Sequence, residues 1–235
     1  MRQAGLFLLA AALAAPAAAA PAHRAPAHRA PAARDWSRTV VATPDGGFRM
    51  GNPAARVKLV EYGSLTCPHC RAFAQEGTPQ LVAQYVKTGK VSYEFRNYIL
   101  NGIDVSASLL ARCAGAGGFF GMAETLYATQ PQWVGRVAAL PQAERDQIKA
   151  LAEGPRLVRI GEAAGLIPVA ARYGVPAARA RQCLADPAGL ERLGKIVEAA
   201  SALGVDGTPT FFVNGARVDG IEWTQVEPAL RRAGV

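Results

Sequence analysis

The feature that most limits what this chain can fold into is the tetrad Cys67-Pro68-His69-Cys70, because of what flanks it. Before it, Val57-Lys58-Leu59-Val60-Glu61-Tyr62 is β-rich with partial alternation and predicts a core strand. After it, Arg71 to Lys87 has the apolar spacing of a helix, interrupted by Gly77 and Pro79, where a kink is expected. Val91 to Arg96 follows the Thr88-Gly89 break as a second strand. Strand, helix and strand in succession predict an α/β domain.

A Cys-x-x-Cys at a strand-to-helix junction has a mechanical logic. The first sulfur sits at the helix N-terminus, where unpaired N–H groups and the helix dipole favour a thiolate. The second lies one turn on, within reach of a mixed disulfide formed by the first. Cys67 is therefore the expected nucleophile and Cys70 the resolving thiol. Pro68 suits the first helical position. His69 offers positive charge or a hydrogen bond that would lower the pKa of Cys67. A stabilised thiolate favours the reduced pair and makes its disulfide an oxidant. Other readings of the tetrad fit less well. A c-type haem needs His where Arg71 stands. A structural zinc needs two further ligands, and Cys113 and Cys183 are isolated. A purely structural disulfide across so small a loop stabilises little.

The rest of the chain gives the setting. Arg2 and a short apolar run from Leu6 to Ala15, followed by small residues, have the layout of a secretory signal peptide over residues 1–20. Residues 21–35 hold the repeat Pro21-Ala22-His23-Arg24-Ala25 and Pro26-Ala27-His28-Arg29-Ala30, which predicts a flexible tail. Its two histidines make at best a weak metal site, and no metal is expected. The formal charge of +8 does not point to nucleic acid: residues 1–34 carry four arginines and no acid, leaving 22 basic against 18 acidic residues. The folded part is expected as 36–102, the N-terminal part of an α/β domain, with a short strand at Val40-Val41 and a turn at Pro44 to Gly47. Ala-rich residues 103–204, broken by Gly115 to Gly118, Pro131, Pro141, Pro155, Pro168, Pro176 and Pro187, read as a helical insertion. Residues 205–235 return to strand at Thr210 to Val213, turn at Asn214-Gly215, pair through Ala216 to Val218 and close with a helix from Trp223 to Arg232. If Cys67 pairs with Cys70, Cys113 and Cys183 remain. They either form a structural disulfide bracing the insertion or stand as two separate buried thiols. The bridge is the reading taken. Phe119, Phe120, Tyr127 and Trp133 are read as packing residues.

Glu61-Tyr62-Gly63-Ser64-Leu65-Thr66-Cys67-Pro68-His69-Cys70, with Gly207-Thr208-Pro209-Thr210-Phe211-Phe212-Val213-Asn214-Gly215, resembles the DsbA-like family of periplasmic thiol-disulfide oxidoreductases, from about Trp36 to the C-terminus. The resemblance implies a thioredoxin-like fold with the helical insertion between the second and third core strands. It makes Pro209 a cis-proline facing the cysteine pair, and Thr208 and Pro209 the substrate-binding residues, free to pair with an extended peptide. It gives Glu61 the role of a proton acceptor beneath the resolving cysteine. It implies a disulfide oxidase of exported proteins that needs no cofactor beyond the Cys67–Cys70 disulfide. Its clients are unfolded or partly folded exported proteins with free cysteines, and a membrane redox partner reoxidises it. The alternatives are a disulfide isomerase, a dedicated reductase, or a binding or holdase module in which redox is incidental.

Overall fold

The computed structural model describes residues 34–235. The expected signal peptide, nearly all of the expected tail, and the histidines in it lie outside the described residues. Six strands form one mixed sheet: β1 (Val40–Ala42), β2 (Phe48–Gly51), β3 (Val57–Gly63), β4 (Val91–Asn97), β5 (Thr210–Val213) and β6 (Ala216–Arg217). Their order across the sheet is β1-β2-β4-β3-β5-β6. Only β3 and β4 run parallel, the pairing that a helical crossover allows. The crossover comprises α1 (Pro68–Glu76), α2 (Thr78–Leu81) and a π-helical stretch, Val82–Val86. The expected kink is thus a break at Gly77, with Pro79 in the first turn of the new helix, where its missing N–H is harmless.

Between β4 and β5 lie α3 (Gly102–Cys113), α4 (Gly115–Ala128), α5 (Gln130–Ala138), α6 (Gln142–Ala150), α7 (Glu153–Ala163), α8 (Leu166–Ala171), α9 (Ala177–Leu184) and α10 (Pro187–Ala202); α11 (Trp223–Arg232) ends the chain. The thioredoxin-like fold and its helical insertion are as the sequence led one to expect. Two details differ. Residues 115–118 do not interrupt a helix but form the first turn of α4, the break being at Ala114 and the left-handed Gly115. Pro131 and Pro187 likewise open α5 and α10 rather than separating them from what precedes. β2 was not expected from sequence at all.

Strand alternation sends Leu59 and Glu61 to one face of β3 and Val60 and Tyr62 to the other. Leu59, Phe95, Phe211 and Val213 join the main core with Leu65, Phe73, Leu110 and Phe119, whereas Tyr62 and Phe212 pack on Ala200 and Val205. Glu61 therefore points into the main core, where it is 2% exposed. Phe73 of α1 stacks against Phe211 of β5 with ring centroids 4.4 Å apart, which fixes the helix carrying Cys70 against the sheet. Among the described residues no helix is long and apolar enough to cross a membrane.

Candidate active site

β3 ends at Gly63, and the chain turns through Ser64-Leu65-Thr66 into α1. Gly63 has no room for a side chain: a Cβ there would stand 2.5 Å from the Phe95 ring and 2.8 Å from Glu61 Oε1. The following loop is held by groups far away in sequence. Asp104 of α3, fully buried, accepts from Ser64 Oγ at 2.6 Å, from the Leu65 N–H at 3.0 Å and from the Leu100 N–H at 3.1 Å. Tyr127 of α4 donates to the Ser64 carbonyl at 3.1 Å, and Gln130 of α5 donates to the carbonyls of Leu65 and Cys67 at 2.9 and 3.0 Å. The insertion thus sets the position of the loop that carries Cys67. Burial raises the pKa of Asp104 to about 6, against the pull of the hydrogen bonds from Ser64, Leu100 and Leu65.

Cys67 is the N-cap of α1, in extended backbone conformation, with Pro68 at the first helical position. Cys67 and Cys70 are both free thiols here. The Cys67 pKa is pulled down to about 5, first by the hydrogen bond from Cys70, then by the Thr208 hydroxyl and the N–H groups of Cys70 and His69, against the opposing effect of burial. When protonated, Cys67 Sγ donates to the Thr208 carbonyl at 3.2 Å, so the loop before β5 lies directly over Cys67. The Thr208–Pro209 peptide is cis. The buried Thr208 hydroxyl has no full hydrogen bond elsewhere. Cys70 is fully buried, and burial pushes its thiol well above the ordinary range, with Cys67 and Glu61 adding to the effect. Burial likewise raises Glu61 to about 8, despite the hydrogen bond that Tyr93 donates to its Oε2 at 2.5 Å.

The structure therefore brings Cys67, Cys70, Glu61, Thr208 and Pro209 to one place. Pro68 and His69 are exposed at the helix start, and the backbone N–H of His69 is among the groups that lower the Cys67 pKa. The helix N-terminus directs N–H groups to Cys67. Cys113 and Cys183 lie apart from this site and are bridged, joining the end of α3 to α9 with Cα atoms 6.2 Å apart. Tyr93, Asp104 and Gln130 were missed from sequence, and Tyr127 is more than packing. No local pattern marks any of them.

A strand-to-helix Cys-x-x-Cys facing a cis-proline on the next sheet strand defines a thioredoxin-type redox centre. The thioredoxin family model matches residues 43–232, and the chain belongs to that family. A Rickettsia prowazekii protein provisionally named a protein-disulfide oxidoreductase is 29% identical over 191 residues, covering 80% of this chain and 62% of that protein. The chain thus spans about three fifths of the length of the curated relatives it matches. A crystal structure titled protein-disulfide isomerase from Novosphingobium aromaticivorans is 30% identical with a TM-score of 0.73, covering 80% of this chain and 97% of the other. Wolbachia pipientis α-DsbA1, 21% identical with a TM-score of 0.65 over 82% of this chain and 92% of its own, shares the fold.

Proposed function

We propose that this protein is a thiol-disulfide oxidoreductase that donates the Cys67–Cys70 disulfide to cysteine pairs of exported, incompletely folded proteins. The observation that carries this reading is the asymmetry of the pair. Cys67 is stabilised as a thiolate at the start of α1, while Cys70 is sealed in the core as a thiol. A client thiolate attacks Cys67 Sγ, the Cys67–Cys70 bond breaks, and a second client thiolate then attacks the client sulfur of the mixed disulfide and releases Cys67. The low pKa of Cys67 makes it a good leaving group in that second step. The backbone at Thr208, in the loop before β5 and over Cys67, suits an extended client segment. The disulfide is itself the redox group, so no bound cofactor is required. A leader over residues 1–20 would place the protein in the periplasm, where a membrane redox partner would reoxidise it.

Equilibrating the protein with glutathione buffers and counting free thiols at Cys67 and Cys70 tests the direction. A midpoint more oxidising than about −200 mV is expected, with the reduced pair favoured. A pair that stays oxidised in the same buffers contradicts the donor role and supports the reductase or isomerase alternative.

A further inference from the structure

Disulfide exchange at this site creates a proton problem inside the core. Each time Cys70 leaves the disulfide, its sulfur carries an electron pair into a position with no exposure to solvent. Glu61 is the acid that faces it, and Glu61 is buried as well. After giving its proton to Cys70, Glu61 is a carboxylate out of reach of bulk water, and leaving it so is costly. It must recover a proton through a group that touches it.

Few polar groups face Glu61. Cys67 and Cys70 approach from α1, Tyr93 from β4 and Tyr127 from α4, while β5 offers only the apolar Phe211 as its register partner. The Tyr127 hydroxyl is committed to the Ser64 carbonyl at 3.1 Å. The Tyr93 hydroxyl is in contact with Glu61 Oε2 at 2.5 Å. Tyr93 and Thr78 also belong to the wall of a cavity of about 730 Å³ between the α1–α2 segment and α4. That volume exceeds the roughly 30 Å³ share of one water many times over. The exposed side chains of Gln75, Lys87 and Glu124 are part of its lining, so it opens to solvent.

The geometry points to a proton path from Glu61 through the Tyr93 hydroxyl to water in this cavity, with Tyr93 as a relay residue for exchange at the buried cysteine. The path rests on the thiol-disulfide reading of Cys67 and Cys70. In the donor direction a client thiolate forms a bond to Cys67 Sγ, the Cys67–Cys70 bond breaks, and its electron pair passes to Cys70 Sγ. Cys70 takes the proton of Glu61, Glu61 takes the phenolic proton of Tyr93, and Tyr93 takes one from water in the cavity. The transfers run in concert, because burial holds the phenol well above its ordinary pKa and no phenolate persists. Reoxidation runs the same chain backwards.

Tyr93→Phe keeps the ring and removes only the hydroxyl. Oxidised protein is mixed rapidly with excess cysteine peptide, and opening of the Cys67–Cys70 disulfide is followed against pH and buffer concentration. Alkylation of Cys67 in the reduced protein, which needs no proton at Cys70, serves as the control for an intact site. The variant is expected to open roughly 10- to 100-fold more slowly at neutral pH, to turn over at a higher pH because Glu61 has lost the hydrogen bond that held its pKa down, and to be accelerated by small buffer acids. Cys67 alkylation is expected to be unchanged. Rates and a pH profile matching the parent overturn the relay and leave the exchange reading standing. A uniform slowing with the parent's pH profile and no response to buffer also overturns it, as the mark of a merely structural hydroxyl. A parent protein that opens no disulfide overturns the exchange reading, and the relay with it.

Discussion

Cys67→Ser is expected to leave no disulfide exchange above the uncatalysed background, and Cys70→Ser to leave the protein locked to its client. A serine hydroxyl at position 67 keeps the N-cap geometry of α1 but supplies neither a thiolate nor a sulfur for the mixed disulfide. Cys67, 5% exposed, lies beneath the Thr208 carbonyl in the loop that leads into β5, while Cys70 is wholly enclosed. A client therefore has one sulfur to attack. With Cys70 replaced, the bond from Cys67 to a client loses its internal competitor and accumulates. Non-reducing electrophoresis after incubation with an unfolded client that carries a disulfide distinguishes the two: Cys67→Ser forms no adduct, whereas in Cys70→Ser the Cys67 thiolate attacks the client disulfide, expels one client thiolate and stays bonded to the other client sulfur. Client binding and protection from aggregation that survive intact in Cys67→Ser would instead support a holdase role in which the cysteine pair is incidental.

Removing the second bridge through Cys113→Ala and Cys183→Ala is expected to lower stability by about 4 kcal/mol. The bridge spans 70 residues, and releasing a loop of that length restores a large chain entropy to the unfolded state. For a domain of this size that corresponds to a fall in melting temperature of roughly 10 °C, measurable by calorimetry or circular dichroism. Both cysteines are only half-buried, so little cavity cost is added. The effect should reach the active site as well, because the bridge anchors the end of the same helix that carries Asp104. An unchanged melting temperature would mean that packing alone holds α3 against α9.

What the sequence showed and what it hid divide along a physical line. β3, β4 and the β5–β6 hairpin are β-rich runs bounded by turn residues, and the Cys67 tetrad is read from its own four positions, so local pattern found them. β2 is four residues between a turn and a glycine, and it exists because Phe48 to Gly51 pair with β4. Nothing in its own sequence requires a strand. The prolines of the insertion were read as breaks, but a proline is equally at home in a helix's first turn, and only packing decides which helix it starts. Asp104 and Gln130 clamp the cysteine loop across 39 and 63 residues respectively, and Tyr93 meets Glu61 across neighbouring strands. Each is an ordinary residue locally. Their roles arise only when the sheet and insertion close around β3.

Disulfide donation at this site depends on one ionisation, that of Cys67. A thiol whose pKa is lowered by folding adds stability that is fully present above the pKa of the unfolded chain's thiol and is lost as pH falls through the folded value. Reduced protein should therefore lose stability relative to its disulfide form as pH falls from about 8.5, the ordinary value of a free cysteine, to about 5, and at neutral pH Cys67 should be almost wholly thiolate. The direct test is a titration of reduced protein followed by the ultraviolet absorbance of the thiolate, with Cys70→Ser to assign the signal. That substitution also removes the hydrogen bond Cys70 gives to Cys67, so its midpoint should sit somewhat above that of the parent. A parent midpoint near 5 is the predicted result. A midpoint at the ordinary value of about 8.5 for a free cysteine would mean that α1 and Cys70 do not activate Cys67, and would contradict the disulfide-donor account at its source.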